Sequence, residues 1–301
     1  MTGAPLRVVV VTSSPGDSLE SFLASLDTIL EHEVVLAEEA RTDSPTRAVV
    51  GPRVRLLETG GDVGFGRAAN LGASGAGGDW LLFASPDVVL APGALDELVA
   101  AAGRRPRAGC LGPAVRTTDG RLLPSARAFP SLGHVTGQAL SGRWWSGGPG
   151  SRSSRDETVG TVEGTTGWLA GPCLLLRREA FEMVGGFDPT YGSCCEDMDL
   201  CRRLADAGWQ NVSVPSAVIT LEDAHASSRP TGPALREHHR ALYRFLSRQH
   251  PGPARAPARA LLAVGLTLRL LRAARVRSVG VGAERTRSSD VLATHRSAAG
   301  S

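Results

Sequence analysis

Three acidic side chains within four positions are the clearest candidates for chemistry in this sequence. Glu196, Asp197 and Asp199 follow a loop marked by glycine and proline, and they precede a segment with apolar residues at helical spacing. This pattern predicts a loop that runs into a helix, with carboxylates in its first turn. Such a carboxylate can serve as a general base. It can equally be a stabilising helix-end charge, and Asp199 and Arg203 have the i,i+4 spacing of a helical ion pair.

A fourth carboxylate, Asp87, stands at the end of an apolar run. Residues 81–89, LLFASPDVV, predict a strand interrupted by Ser-Pro-Asp. Ligands of open α/β sheets bind outside the carboxyl ends of the strands, and a hard oxygen ligand suits Mg²⁺ or Mn²⁺. A Pro-Asp pair is also a common turn, so these residues alone leave both interpretations open.

The segment 60–72, GGDVGFGRAANLG, is rich in glycine and leads into small residues. Glycine-rich turns that open a helix can approach phosphate groups with their backbone N–H groups. The segment lacks the G-x-G-x-x-G dinucleotide fingerprint with its following acid, so these residues alone do not predict a nucleotide site.

The elements that position these residues follow an α/β pattern. Buried strands are predicted at residues 6–11, 33–37 and 54–58, and a helix with a 3.6-residue apolar period at 18–30. Strands alternating with helices predict a parallel sheet. A further helix is predicted at 95–102, strands at 108–115, 168–178 and 208–218, and a helix at 237–250. The polar segment 141–156 is predicted to be a mobile flap.

Composition narrows the function classes. The five cysteines have no C-x-x-C spacing, which favours neither a disulfide framework nor a zinc site. The chain begins without a signal-peptide pattern, so a cytoplasmic protein is expected. No nucleic-acid partner is expected. All 33 basic residues are arginine, and residues 252–301 carry nine of them against two acids.

The C-terminal segment predicts contact with a membrane surface. In residues 258–277, ARALLAVGLTLRLLRAARVR, the longest uncharged stretch is far shorter than the roughly 20 residues of a spanning helix. A basic amphipathic helix in the interface is favoured over a docked helix. We therefore predict a main domain over residues 1–250, a basic amphipathic helix within 251–280 and a disordered tail over 281–301.

The stretch from residue 168 to 203 carries a family resemblance. WLAGPCLLLRR leads through GGFD to CEDMDLCRR. It resembles the inverting glycosyltransferases of family 2, which have the GT-A fold and a G-x-x-x-L-x-R-R-x-x-F-x-x-x-G-G-F-D segment before an E-D motif. Within this family it is most similar to actinobacterial rhamnosyltransferases that act on a polyprenyl-diphosphate-linked sugar. The resemblance covers roughly residues 5–250, and it implies a GT-A fold with a mostly parallel central sheet.

The resemblance also implies roles for individual residues. Asp197 would be the general base, and Glu196 would position the acceptor or tune that base. Asp87 matches the last acid of the D-x-D motif and His225 matches a histidine loop, so both would hold Mg²⁺ or Mn²⁺. The residues expected to contact the nucleotide sugar are Thr12, Glu38, Gly64, Asn70 and Arg127.

The function implied is transfer of L-rhamnose from dTDP-L-rhamnose to a polyprenyl-diphosphate-linked or glycan hydroxyl acceptor. The enzyme would lie at the inner face of the cell membrane, in cell-wall or surface-polysaccharide synthesis. The chain departs from the family pattern where Glu38 replaces the usual base-contacting Asp and Ser85 the first acid of D-x-D. A catalytically weakened or inactive binding protein of the same pathway is the alternative.

Overall fold

A computed structural model describes residues 6–12, 17–26, 32–39, 54–141, 162–192, 194–222 and 233–271 of the chain. The strands are β1 (Leu6–Thr12), β2 (His32–Glu38), β3 (Val54–Glu58), β4 (Trp80–Ala84), β5 (Val88–Leu90), β6 (Ala108–Thr117), β7 (Leu122–Leu123), β8 (Ala126–Arg127), β9 (Gly164–Thr166), β10 (Trp168–Leu169), β11 (Cys173–Arg177) and β12 (Gln210–Leu221). The helices are α1 (Asp17–Ser25), α2 (Phe65–Ala73), α3 (Ala94–Arg104), α4 (Leu132–Ser141), α5 (Arg178–Met183), α6 (Glu196–Asp206), α7 (Pro233–Gln249) and α8 (256–271).

The central sheet has the strand order β3-β2-β1-β4-β11-β6-β12-β5. Its first four strands are parallel, which confirms the α/β prediction for the first half of the chain. β1 contains a run of four valines, of which Val8, Val9 and Val10 are almost fully buried, as a strand covered on both faces requires. β11 is antiparallel to both of its neighbours, whereas β6 and β12 are parallel to each other.

Two predicted strands are each divided in the structure. The run at 81–89 forms β4 and β5, because the chain turns at Ser85 and the N–H of Val88 donates to the carbonyl of Ser85 at 3.3 Å. β5 then pairs with β12 at the far edge of the sheet. The run at 168–178 forms β10 and β11, which belong to different sheets. Both interruptions lie at the candidate site.

The chain forms two compact units. Unit 1 comprises residues 1–129 and 146–229 and contains the sheet. Unit 2 comprises residues 130–145 and 230–301 and contains α4, α7 and α8. The predicted domain limits at 250 and 280 stay a prediction. The predicted flap at 141–156, except for its first residue, and the predicted tail at 281–301 lie outside the described residues.

The predicted C-terminal helix is present as α8, and α7 precedes it. α7 buries Leu242, Phe245 and Leu246, and α8 buries Leu262 and Leu266. In the part of the chain that the structure describes, no helix combines the length and apolar character needed to cross a bilayer.

Candidate active site

A cavity of about 340 Å³ opens in unit 1 beside the carboxyl end of β4. Most of its wall is apolar, with three aromatic rings from Phe65, Phe83 and Phe187. Its polar side chains come from three places: the turn between β4 and β5, the β8 region, and the start of α6. They are Ser85, Asp87, Ser125, Arg127, Glu196 and Asp197.

The first turn of α6 brings the predicted acids into this cavity. α6 begins at Glu196, as the sequence predicted for a helix with carboxylates at its mouth. The residue before it, Cys195, has a φ of 68°, and among the described non-glycine residues it is the one with a positive φ. Its carbonyl accepts the N–H of Asp199 at 2.9 Å, so the helix's hydrogen bonding starts at this left-handed residue.

Two backbone N–H groups hold the carboxylate of Asp197. Gly171, in the turn between β10 and β11, donates to Oδ2 at 2.9 Å, and Met198 donates to Oδ1 at 2.7 Å. A fixed carboxylate orientation is what a general base needs, because proton transfer depends first on geometry. The sequence analysis missed Gly171; its signal was the Ala-Gly-Pro that breaks the predicted strand at 168–178.

Burial raises the pKa of Asp197 to about 6, the largest influence on this group. The N–H groups of Met198 and Gly171 and the charge of Arg127 act in the opposite direction, because each stabilises the ionised carboxylate. At neutral pH Asp197 is therefore ionised, yet it is a stronger base than an ordinary aspartate. A pKa near the working pH suits general-base catalysis.

Arg127 supplies positive charge to the cavity wall. Its side chain is buried, its Nε donates to the carbonyl of Pro124 at 3.0 Å, and its guanidinium lies 5.6 Å from the ring centre of Trp168. Burial lowers the pKa of Arg127 and the nearby Asp197 raises it. A planar, fixed guanidinium is a suitable partner for a diphosphate.

Asp199 has a different role from its two neighbours. It is buried and its Oδ2 accepts from the Nε of Arg203 at 2.7 Å, which confirms the predicted i,i+4 pair. Arg203 Nη1 also donates to the carbonyls of Val184 and Gly186, each at 2.7 Å. The pair therefore fixes the GGFD turn on α6, and it does not line the cavity.

Asn70 fixes the same turn from the other side. Its Nδ2 donates to the carbonyl of Phe187 at 2.8 Å, and its Oδ1 accepts the N–H of Phe187 at 2.9 Å. Gly186, with a φ of 72°, leaves room for this contact: a Cβ there would lie 2.5 Å from Asn70 Oδ1. Asn70 is absent from the cavity wall, and it determines where the ring of Phe187 stands.

Thr12, Glu38 and Gly64, the other residues predicted for the nucleotide sugar, are also outside this cavity. Thr12 and Glu38 are buried partners at the carboxyl ends of β1 and β2. Gly64, with a φ of 80°, precedes α2, and its N–H donates to Asp62 Oδ1 at 3.2 Å. The predicted residues thus form two groups, one in the cavity and one at the ends of β1, β2 and the start of α2.

The structure describes one of the two predicted metal ligands. Asp87 lines the cavity, whereas His225 lies outside the described residues. The carbonyl of Asp87 accepts the N–H of Glu222 at 2.9 Å, so the end of β12 lies beside Asp87. Among the residues that the structure describes, no three His, Cys, Asp or Glu side chains cluster as a metal site. One carboxylate fits a cation that takes its remaining ligands from phosphates and water.

Comparison with known proteins agrees with this geometry. Residues 4–243 match the model of the family described as "Glycosyltransferase like family 2". The chain belongs to glycosyltransferase family 2. An N-acetylglucosaminyl-diphospho-decaprenol L-rhamnosyltransferase of Mycobacterium tuberculosis is 45% identical over 279 residues, which cover 88% of this chain and 91% of that protein.

Solved structures identify the fold of this glycosyltransferase as GT-A. GalNAc-T7, crystallised with UDP, GalNAc and Mn²⁺, superposes with a TM-score of 0.60 at 17% identity, covering 87% of this chain and 54% of that one. The mannosyltransferase PcManGT of Pyrobaculum calidifontis, in complex with GDP-Man and Mn²⁺, gives 0.54 at 16% identity and covers 98% and 80%. Both the family and the fold predicted from the sequence are confirmed.

Proposed function

We propose that this glycosyltransferase transfers L-rhamnose from dTDP-L-rhamnose, with inversion, to a hydroxyl of N-acetylglucosamine linked to a polyprenyl diphosphate. The observation that carries the proposal is Asp197, a fixed carboxylate with a raised pKa in the cavity of a family 2 enzyme. The 45% identity to the mycobacterial L-rhamnosyltransferase, over 88% of this chain and 91% of that protein, supports the rhamnosyl group and the lipid-linked acceptor. The dTDP nucleotide comes from the sequence resemblance alone.

Inversion is the outcome expected from one base and a single displacement. Asp197 takes the proton of the acceptor hydroxyl while the hydroxyl oxygen bonds to the anomeric carbon of rhamnose. The bond from that carbon to dTDP breaks at the opposite face, and dTDP leaves with the electron pair. Glu196, beside Asp197 at the start of α6, orients the acceptor hydroxyl toward that base.

We assign the divalent cation site to Asp87 and His225, with Mg²⁺ or Mn²⁺ as the ion. When bound, the cation neutralises charge that develops on the departing diphosphate. Asp87 offers a hard oxygen ligand at the cavity wall, and Arg127 adds a fixed positive charge to the same cavity. The Mn²⁺ named with the two GT-A structures supports a divalent cation. The choice of Asp87 and His225 rests on the sequence resemblance.

The nucleotide is assigned to the second group of residues. Thr12 and Glu38 end adjacent parallel strands, where ligands of α/β sheets bind. Gly64, with its positive φ, immediately precedes α2. Asn70 contributes to the nucleotide site indirectly, because it fixes the GGFD turn. Because the relative acts on a decaprenol-linked acceptor, we also propose a cytoplasmic enzyme at the inner membrane face, in contact with it through the helix within residues 251–280.

Purified protein tests the proposal with a panel of nucleotide sugars, Mg²⁺ or Mn²⁺, and a short-chain polyprenyl-diphospho-N-acetylglucosamine acceptor. We expect dTDP release from dTDP-L-rhamnose and a product of inverted anomeric configuration by NMR. Asp197→Asn should lower the rate about 10²–10⁴-fold, the usual contribution of a positioned base, and leave donor affinity within about twofold.

Asp206→Asn is the matched control, because Asp206 is an exposed aspartate of the same helix, paired with Arg202 at 2.9 Å. It should turn over at the wild-type rate. If Asp197→Asn is as active as Asp206→Asn, Asp197 is excluded as the base. A folded wild-type protein that binds dTDP-L-rhamnose without any turnover would instead favour the binding-protein alternative.

A further inference from the structure

An asparagine side chain is buried inside unit 1, below the candidate active site. Asn211 lies near the start of β12, which runs between β6 and β5, and it is 2% exposed. Asparagine is depleted in strands and is mostly found exposed. Its side-chain oxygen Oδ1 is buried and accepts no hydrogen bond from the residues that the structure describes. A buried polar group that is left unpaired costs free energy, so its presence calls for a physical explanation.

The side-chain nitrogen of Asn211 joins two elements of the candidate active site. Nδ2 donates to the carbonyl of Gly167, between β9 and β10, at 2.7 Å, and to the carbonyl of Cys201 in α6 at 2.9 Å. Both hydrogens of the amide nitrogen are therefore used. These two hydrogen bonds connect α6 and the start of β10 to one residue of the main sheet.

Each of the two elements carries part of the Asp197 site. Cys201 follows Asp197 by about one helical turn, so a displacement of α6 at Cys201 also displaces the carboxylate. Gly167 precedes β10, which leads to Gly171, and the N–H of Gly171 donates to Asp197 Oδ2 at 2.9 Å. Asn211 therefore holds the segments that carry the donor and the acceptor of this hydrogen bond.

The small sheet that contains β10 depends on such contacts for its position. β10 pairs only with β8 among the described strands, with Trp168 opposite Arg127. A two-stranded sheet is marginally stable by itself, so contacts with the main sheet determine where it lies. One is the hydrogen bond from Asn211. Another is Leu169, which packs so closely on β6 that a Cβ at Gly112 would lie 2.9 Å from it.

We propose that Asn211 is a positioning residue of the transfer reaction, which keeps the N–H of Gly171 at hydrogen-bonding distance from the carboxylate of Asp197. It acts through its bonds to Gly167 and Cys201, and it is absent from the cavity wall. The proposal rests on the proposed function in one respect, because it takes Asp197 as the base. The unpaired Oδ1 is the cost of directing both N–H groups of the amide to these two carbonyls.

The titratable groups around Asp197 decide what a pH measurement reports. They are Arg127 of β8, Cys110 of β6, Asp87 after β4, and Cys195 and Glu196 at the start of α6. Arg127 stays charged at every accessible pH. A hydrogen bond with a second thiol and burial raise the pKa of Cys110, and burial raises that of Cys195, so both thiols stay neutral. None of these groups is altered by a substitution at Asn211.

Asn211→Ala tests the proposal, because it removes both hydrogen bonds and introduces no larger side chain. When Gly171 moves away, the ionised Asp197 loses a donor, so its pKa should rise further above about 6. A carboxylate with two or three N–H donors can titrate about two units below its usual value, so losing one donor should raise the pKa by roughly one unit. Carbon-13 NMR titration of the Asp197 carboxyl, assigned with Asp197→Asn, measures this shift without substrate.

Kinetics provide a second measurement. A misplacement of about 1 Å can cost about 10²-fold in rate, so kcat of Asn211→Ala should fall roughly 10- to 100-fold. The KM for the donor should change little, and the acid limb of the pH profile of kcat should move to higher pH. Asn211→Ser keeps one hydrogen-bond donor, so its shift should be smaller and in the same direction. It serves as the test variant if Asn211→Ala does not fold.

Val212→Ala is the matched control for a loss of stability. Val212 is the next residue of β12 and is fully buried in the hydrophobic core, because successive side chains of a strand point to opposite faces. Removal of its two methyl groups should lower Tm and leave the pKa of Asp197 at its wild-type value. Equal shifts in Val212→Ala and Asn211→Ala would show general loosening of the sheet and overturn the proposal. So would an unchanged pKa in a folded Asn211 variant.

Failure of this proposal is distinguishable from failure of the proposed function, because the NMR titration needs no substrate. A raised pKa of Asp197 in the Asn211 variants, with no rhamnosyl transfer by the wild type, would refute the proposed function alone. Rhamnosyl transfer by the wild type, with an unshifted Asp197 in Asn211→Ala, would refute the positioning role alone.

Discussion

At the scale of single residues, opposing influences on Asp197 determine the chemistry of the site. Burial makes its ionised form costly, while the N–H groups of Gly171 and Met198 and the charge of Arg127 stabilise that form. The result is a pKa of about 6 for a residue type whose usual value is near 4. A carboxylate tuned in this way is ionised at neutral pH and still accepts a proton more readily than an exposed one.

The pH dependence of turnover should report this carboxylate. Asp197 must be ionised to act as a base. We therefore expect kcat to be highest well above pH 6 and to fall as the pH drops through about 6. Arg127→Gln removes a charge that favours the ionised form of Asp197, so the acid limb of the pH profile of kcat should move to higher pH. Arg127→Lys keeps the charge and should leave the limb near the wild-type position. The measurement is dTDP release at saturating substrates between pH 5 and 9.

An unchanged limb in Arg127→Gln would show that Arg127 acts on the substrate and has no effect on the base. A limb near pH 4 in the wild type would assign the base to a more exposed carboxylate. Far-UV circular dichroism at each pH separates loss of the base from loss of the fold.

At the scale of elements, the GGFD turn joins the two parts of the site. Asn70 on α2 binds the backbone of Phe187, and Arg203 on α6 binds the carbonyls of Val184 and Gly186. The ring of Phe187 packs at 5.4 Å from Phe65 and 5.0 Å from Phe83, so the turn also builds the aromatic wall of the cavity. Asn70 is therefore a positioning residue for both the turn and that wall.

Replacing Asn70 should affect stability and turnover together. Asn70→Leu leaves the N–H and the carbonyl of Phe187 without their partner, which should cost roughly 2–4 kcal/mol of unfolding free energy. At a temperature where the variant is folded, kcat should fall while the KM for donor changes little, because the turn aligns the cavity wall beside Glu196 and Asp197, the proposed catalytic residues. Urea denaturation and steady-state kinetics measure the two effects.

Leu71→Ala is the control for this substitution, since Leu71 is the next residue of α2 and is 46% exposed. It should be nearly neutral in both measurements. A rise in donor KM without a change in kcat for Asn70→Leu would contradict a positioning role and support direct contact with the nucleotide sugar.

The same elements mark what could be predicted from the sequence. Local periodicity predicted β1 to β3 and the start of α6, because β-branched runs and a first turn of acids are features of neighbouring residues. It did not predict the Asn70–Phe187 pair, whose members are 117 residues apart in the chain. Nor did it reveal the break between β10 and β11 that brings Gly171 to Asp197. Contacts of this kind depend on strand order, which the pattern of one segment does not contain.

Family motifs predicted part of what local periodicity did not. They placed Asp87, Arg127, Glu196 and Asp197 in one predicted site, and the structure brings these four residues to one cavity. They also grouped Asn70 with the nucleotide-sugar residues, which stays a prediction. In the structure the amide nitrogen and oxygen of Asn70 both bind the backbone of Phe187. A motif identifies a position that matters, and only the contacts distinguish binding from positioning.

At the scale of the whole molecule, the residues that we propose for the donor site come from distant parts of unit 1. The residues assigned to the nucleotide end β1 and β2, whereas Asp87 follows β4 and Arg127 belongs to β8. These residues acquire their arrangement only when the sheet is formed. A ligand that binds them all therefore binds the folded state and stabilises it by mass action.

Thermal unfolding should accordingly depend on nucleotide and metal together. At a dTDP concentration of about 100 Kd, the gain in unfolding free energy is about 2.7 kcal/mol, which should raise Tm by roughly 4–5 °C in a chain of this size. We expect a smaller rise with UDP or GDP at the same concentration and a reduced rise after addition of EDTA. Asp87→Asn should lose the part of the rise that depends on metal, whereas Asp206→Asn should keep it. Because this readout needs no acceptor, it tests the assigned donor and metal residues even under conditions in which transfer is slow. An equal rise with all three nucleotides would remove the basis for dTDP as the donor nucleotide, and an unchanged rise in Asp87→Asn would move the metal site away from β4.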